Sequence, residues 1–223
     1  MPNPCRSCRA FLLPVLLLLA AVAAFWVDVP VAMSLRHWND AKLHPTVHAY
    51  CGYLDMFEPF GHGLGVVVLL LVLHQLDPSR RWAIPRVLAC ALAAGGAADL
   101  LKMLIVRTRP NDLSITFDGP VWTTFGRWLP MLSGNSTAQS FPSAHTATAC
   151  GLAAALIWLY PNGRRLFVVL AALVGCQRIV AGAHYPSDVL IGAAAGCLVA
   201  WLLLYVGWLP VWFNRCEEPW RSK

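Results

Sequence analysis

Three short clusters in this sequence combine cations, histidines and a carboxylate at spacings that suit phosphate chemistry. The first is Lys102 followed by Arg109-Pro110. On a continuous helix seven residues make about two turns, so both cations would share one face roughly 10 Å apart along the axis. Proline disfavours helical geometry at the residue before it, which should stop the helix and turn Arg109 into the site. An unpaired lysine inside an apolar span costs at least ~3 kcal/mol, which marks Lys102 as functional. Asp99, three residues earlier, could pair with it, and Arg107 reads as a snorkelling end residue. The second cluster is Phe141-Pro142-Ser143-Ala144-His145. Proline suits the first turn of a helix, and free N–H groups at Ser143, Ala144 and His145 would make an anion site reinforced by the helix dipole. Ala144 is small enough for a ligand to approach the backbone, and His145 could donate a proton to a departing oxygen.

The third cluster is Arg178, His184 and Asp188. A carboxylate near a histidine fixes its tautomer and leaves the other ring nitrogen free to attack. Arg178 can bind phosphate through a planar, permanently charged fork. Fixed positive charges around a helix start are what the spread negative charge of a phosphoryl group requires. The sequence contains no glycine-rich phosphate loop and no carboxylate pair suited to magnesium, which argues against nucleotide-type phosphoryl transfer.

The elements that must position these residues are apolar. Of 223 residues, 58% are hydrophobic and only 13% charged, against about a quarter charged in a soluble domain. A bilayer core of ~30 Å takes about 20 apolar residues of helix. Candidate spans cover 11–27, 61–76, 82–106, 143–160, 166–183 and 187–209, separated by two long polar stretches (28–60 and 107–141) and three short turns. The expected fold is all-α, a six-transmembrane helical bundle forming a single domain over 1–223, with the signature motifs within 102–188. Residues 11–27 follow Arg6 and Arg9 and contain Ala21-Val22-Ala23, which resembles a signal-peptide cleavage site. The bulky Phe25-Trp26 and the five later spans favour a retained anchor. Ten tryptophans fit membrane–water interfaces.

With the N-terminus inside, and Lys102, Arg109 and Arg178 set aside as site residues, Lys and Arg concentrate on the inner side. The two long loops and all three clusters then face away from the cytoplasm. The net charge of +6 is scattered between apolar blocks rather than gathered in a stripe, which excludes nucleic acid as a partner. Of the cysteines only Cys51 falls on the outer side and outside a span, so no disulfide is expected. His44-x3-His48 reads as an interfacial segment, and Cys5-x2-Cys8 lacks the second pair a zinc site needs. Gly192-x3-Gly196 fits close helix packing. Trp122, Phe125 and Trp128 suit loop anchoring or guidance of a lipid head group.

Taken together, Lys102-x6-Arg109-Pro110, Pro142-Ser143-Ala144-His145 and Arg178-x5-His184-x3-Asp188 resemble the three-part signature of the type 2 phosphatidic acid phosphatase superfamily. That superfamily includes undecaprenyl-diphosphate phosphatases, glucose-6-phosphatases and vanadium haloperoxidases; the membrane lipid phosphatase branch, which also holds phosphatidylglycerophosphate phosphatases, is the nearest in kind. The resemblance implies that His184 is the nucleophile that forms a phosphohistidine, with Asp188 orienting it. It implies that His145 protonates the leaving oxygen and later activates water. Lys102, Arg109, Arg178, Ser143 and Ala144 would hold the phosphate oxygens, with no metal and no cofactor. Two positions depart from the family pattern: Ala144 stands where glycine is usual, and Gln177 where serine usually precedes the arginine. The expected substrate is a lipid phosphate or diphosphate monoester in the bilayer. The expected setting is a bacterial cytoplasmic membrane, with the site on its periplasmic face. A lipid-linked phosphotransferase would use the same residues; an anion transporter would leave His184 and Asp188 without a required role. The sequence carries no signal for oligomeric state.

Overall fold

The computed structural model describes residues 4–38, 49, 51–114, 116–128 and 139–221. Its helices are α1 (Pro4–Ala24), α2 (Asp28–Trp38), α3 (Gly63–Leu76), α4 (Ile84–Lys102), α5 (Ala144–Leu159), α6 (Arg164–Val180), α7 (Pro186–Tyr205) and α8 (Trp208–Arg221). Each of the six apolar segments therefore contains one helix. By length and composition, α4 with its leading turn and α7 can each cross a bilayer alone. Residues 10–38 and 53–76 qualify only as pairs bent by 76° and 75°, so among the described residues length and composition credit two to four spans of the six expected. His44 and His48 lie outside the described residues.

Helix α5 is central and packs on α4, α6 and α7, while α1 lies along α7. The sequence explains this placement. Ala147, Ala149, Gly151, Ala153 and Ala155 are buried and let neighbouring backbones come close to α5. On α7, a Cβ at Gly192 would sit 2.4 Å from the Ser143 carbonyl oxygen and one at Gly196 would sit 2.2 Å from that of Ala147. The Gly192-x3-Gly196 spacing is thus a close-packing seam between α7 and α5. Val66, Leu70, Val87, Ala91, Leu152, Leu156 and Leu204 fill the core between α3, α4, α5 and α7. Phe11 stacks near Trp201 at 4.8 Å, so α1 is packed as part of the bundle.

The described residues are mostly helical, in keeping with the expected all-α class, and two features were not expected. Helix α4 stops at Lys102, where Met103 N–H bonds back to the Asp99 and Leu100 carbonyls. Beyond it, Ile105–Arg107 forms strand β1, antiparallel to β2 (Phe125–Trp128). Ile105 and Val106 are β-branched and suit a strand. Lys102 and Arg109 therefore do not share a two-turn helical face; an extended segment carries Arg109 to the site instead. The second departure is α8, in a tail with no expected structure. It docks through Glu217, whose carboxylate lies 2.8 Å from Arg86 Nε. The Arg86 guanidinium lies over the Trp158 and Phe213 rings. Trp208, Trp212 and Trp220 of α8 remain exposed.

Candidate active site

The three clusters meet at one end of the bundle. The approach of Lys102, Arg178 and Arg109 is felt at His184, and that of Arg178 and Lys102 at His145. Lys102 pairs with Asp99 at 3.3 Å, as the sequence suggested. Arg109 is extended, with φ −69° and ψ 151°, as the proline after it requires. Arg36 of α2 holds the turn that follows by donating to the Leu113 carbonyl at 2.6 Å.

His184 sits in the turn between α6 and α7. Gly182, at φ +64°, makes that turn possible, and Asn111 braces it by donating to the Ala181 carbonyl at 2.8 Å. Buried His184 places Nδ1 at 2.5 Å from the Ser140 carbonyl oxygen. A carbonyl only accepts, so Nδ1 carries the proton and the lone pair is on Nε2. Burial, followed by the nearby Lys102 and Arg178 charges, holds His184 well below the ordinary imidazole range. The ring is therefore neutral at pH 7 and able to act as a nucleophile.

Asp188 does not hold this ring directly. Its carboxylate accepts from Arg107 Nη1 at 2.5 Å, Ser140 Oγ at 2.6 Å and the Tyr185 N–H at 3.0 Å. The reason is local: Asp188 is the third residue of α7 and folds back to cap its own helix start. Its link to His184 runs through Ser140, which contributes its hydroxyl to Asp188 and its carbonyl to the histidine. Arg107, expected at the surface, is fully buried behind this pair. It bridges Asp188 to Asp28 at the start of α2, at 2.7 Å, and lies 3.9 Å from the Tyr185 ring centroid and 4.6 Å from that of Phe125. Phe125 is thus part of the Arg107 cage rather than an interfacial anchor, while Trp122 is exposed.

The helix start also differs from its expected form. Ser143 caps α5 from outside it, after a cis Phe141–Pro142 peptide, so Pro142 precedes the helix instead of opening it. The Ser143 hydroxyl lies 2.9 Å from Thr146 Oγ1, and its N–H donates to the Asp188 carbonyl at 3.1 Å. Those bonds occupy the Ser143 N–H expected to face an anion. The first-turn amides of Ala144 and His145 are the ones that a helix start leaves without intrahelical acceptors.

On the open side, Glu58 lies within the cationic group. It comes from the 3-10 segment Tyr53–Gly61 ahead of α3. Its Oε1 is 2.9 Å from Arg178 Nη1 and 3.3 Å from His145 Nε2. Asp55, one turn earlier, accepts from Gln177 Nε2 at 2.8 Å. His62 lies beside His145, with ring centroids 5.8 Å apart. The Nε groups of Arg109 and Arg178 are buried and have no hydrogen-bond partner among the described residues. Among those residues no cluster of three or more His, Cys, Asp or Glu is placed to hold a metal ion. Cys51, Cys90, Cys150, Cys176, Cys197 and Cys216 are free thiols.

The profile of the PAP2 superfamily matches residues 83–212, which contain all three clusters. The chain belongs to the PAP2 superfamily. Its similarity to the lipid A 1-phosphatase of Rhizobium johnstonii is 36% identity over 55% of this chain and 45% of the relative. The decaprenylphosphoryl-5-phosphoribose phosphatase of Mycobacterium tuberculosis is 33% identical over 66% of this chain and 73% of its own length. The lipid A 4'-phosphatase of Bacteroides thetaiotaomicron is 29% identical over 66% and 65%. The chain spans less than half the length of the Rhizobium relatives it matches.

Within this PAP2 chain, sequence reasoning missed Glu58, Asp55, Ser140, Asp28 and the burial of Arg107. One signal for Arg107 was available: its position beside the β-branched pair Ile105-Val106, where a strand could carry it inward. Asp28, directly after the apolar 11–27 block, offered another, since an acid there needs a partner.

Proposed function

We propose that this chain is an integral-membrane phosphatase that hydrolyses a phosphate or diphosphate monoester carried on a lipid. Phosphohistidine formation at His184 proceeds without a metal, and the whole chain, 1–223, acts as one domain. The observation that carries the reading is the pair of buried, unpartnered guanidinium Nε donors on Arg109 and Arg178, close to a neutral His184. Buried donors without acceptors cost stability unless a ligand supplies them, and a phosphoryl group has the oxygens to do so. Lys102 and the first-turn amides of Ala144 and His145 complete the cradle, and Ser143 fixes the helix start.

His184 Nε2 attacks phosphorus, and the P–O bond to the lipid alcohol breaks. His145, entering as the imidazolium that the bound phosphate and Glu58 favour, gives a proton to the departing oxygen and becomes neutral. Water then attacks the phosphohistidine as His145 takes its proton, releasing phosphate and restoring both rings. Asp188 acts through Ser140 to hold the nucleophile's tautomer. The apolar helices and the lipid-linked substrates named for the bacterial relatives support an amphiphilic substrate. They also favour a bacterial cytoplasmic membrane, and the Lys and Arg distribution favours the periplasmic side for the site.

The test is phosphate release from a panel of lipid phosphates in detergent. Release should persist in EDTA, be inhibited by vanadate, and vanish in His184→Ala. Full activity in that variant would sink the nucleophile assignment, and magnesium-dependent rescue after EDTA would sink the metal-free mechanism. A phosphotransferase would instead pass the phosphoryl group to an added alcohol, and a transporter would move anions into vesicles without hydrolysis.

A further inference from the structure

We infer that Glu58, with Asp55 beside it, selects phosphate monoesters of polyhydroxylated, sugar-like alcohols and disfavours diphosphates. The inference rests on the phosphatase reading and specifies its substrate class. Glu58 contacts both Arg178, on the phosphate-binding side, and Nε2 of His145, the proton donor to the leaving oxygen. A carboxylate at that junction lies between the phosphate-binding arginine and the donor to the departing oxygen, within reach of the group that departs. Its side chain is 37% exposed, so it borders the open mouth of the site. From there a groove of about 700 Å3 begins at Asp55, Glu58 and His62 and continues over Leu64, Val68 and Val72 of α3. The groove is acidic where it meets the site and apolar farther along.

This polarity discriminates between leaving groups. The leaving half of a diphosphate is itself a phosphate, and it would bring a second anion against Glu58 and Asp55. Like charges brought together at a binding surface suppress the wrong partner. A sugar hydroxyl is a hydrogen-bond donor, and a carboxylate accepts from it with charge assistance. A plain lipid alcohol gives Glu58 neither repulsion nor a donor and should fall between the two. Gln177 supports the arrangement by holding Asp55 at 2.8 Å, a contact that serine, shorter by two carbons, could not make from the same backbone.

The experiment compares three probes in detergent micelles: a lipid bearing its phosphate on a sugar ring, phosphatidic acid, and a polyprenyl diphosphate. The unaltered protein should favour the sugar phosphate over phosphatidic acid by about tenfold in kcat/KM, the size of one hydrogen bond to a charged group. It should favour either over the diphosphate. Glu58→Gln should bring the diphosphate at least about tenfold closer to the sugar phosphate, whatever happens to the absolute rate. Asp55→Asn should move the ratio the same way by less, and it carries the test if Glu58→Gln fails to fold. Preference for the diphosphate in the unaltered protein, or ratios unmoved in folded variants, overturns the assignment. Absence of release from all three probes removes the phosphatase reading and this inference with it.

Discussion

Arg107 and Arg109 are two residues apart and occupy opposite situations. Arg107 is fully buried with partners on every side: Asp28, Asp188, Ser187, Thr124 and the face of Tyr185. Arg109 stands at the mouth, and its buried Nε has no partner among the described residues. A buried ion pair with every guanidinium nitrogen engaged holds structure in place. A guanidinium with an open donor near a neutral histidine suits the anion of the proposed reading. Between these two arginines, the number of engaged donors, rather than residue type, is what differs.

The largest effect should come from Arg107→Met. It leaves the carboxylates of Asp28 and Asp188 buried without their cation, which costs about 3–5 kcal/mol. Thermal unfolding in detergent should show a large drop in midpoint, with activity lost alongside. Arg109→Met should behave in the opposite way. Its midpoint should stay close to that of the unaltered protein while kcat/KM falls on the order of 100-fold, as when one charge-stabilising donor is removed. Equal loss of stability in both variants would erase the distinction between them. A smaller effect is expected for Ser140→Ala, which keeps the carbonyl that holds His184 and removes the hydroxyl that ties it to Asp188. A loss of about 1 kcal/mol, about fivefold in kcat with KM little changed, would sharpen the view that Asp188 works through Ser140. An unchanged kcat would break it.

How much of this was legible in the sequence depends on how far each contact reaches along the chain. Lys102, Arg109, His145, Arg178 and His184 could be singled out because charges in apolar blocks are conspicuous and their spacing is local. The partners that give them geometry come from far away: Glu58 reaches Arg178 across 120 positions and Asp28 reaches Ser187 across 159. No periodicity reports such pairings. Arg107 was misread because an arginine at the end of an apolar block looks the same whether it snorkels outward or turns inward. Helix α8 was missed because Arg215, Glu217 and Glu218 make its sequence look like a solvated tail. Arg86 on α4, two percent exposed, pairs with Glu217 from far along the chain, beside the local pair that Arg221 makes with it. The six helices were legible, since long apolar runs leave few alternatives. The strand pair after α4 was not, because three extended residues leave too short a pattern to read.

The Ser143 N–H and the Asp188 carbonyl join the starts of α5 and α7 main chain to main chain. The main-chain segments that carry His145 and His184 are thereby tied together independently of any side-chain rotamer. On the proposed reading, substitutions around the rim would change which molecule is cut while that frame stays in place.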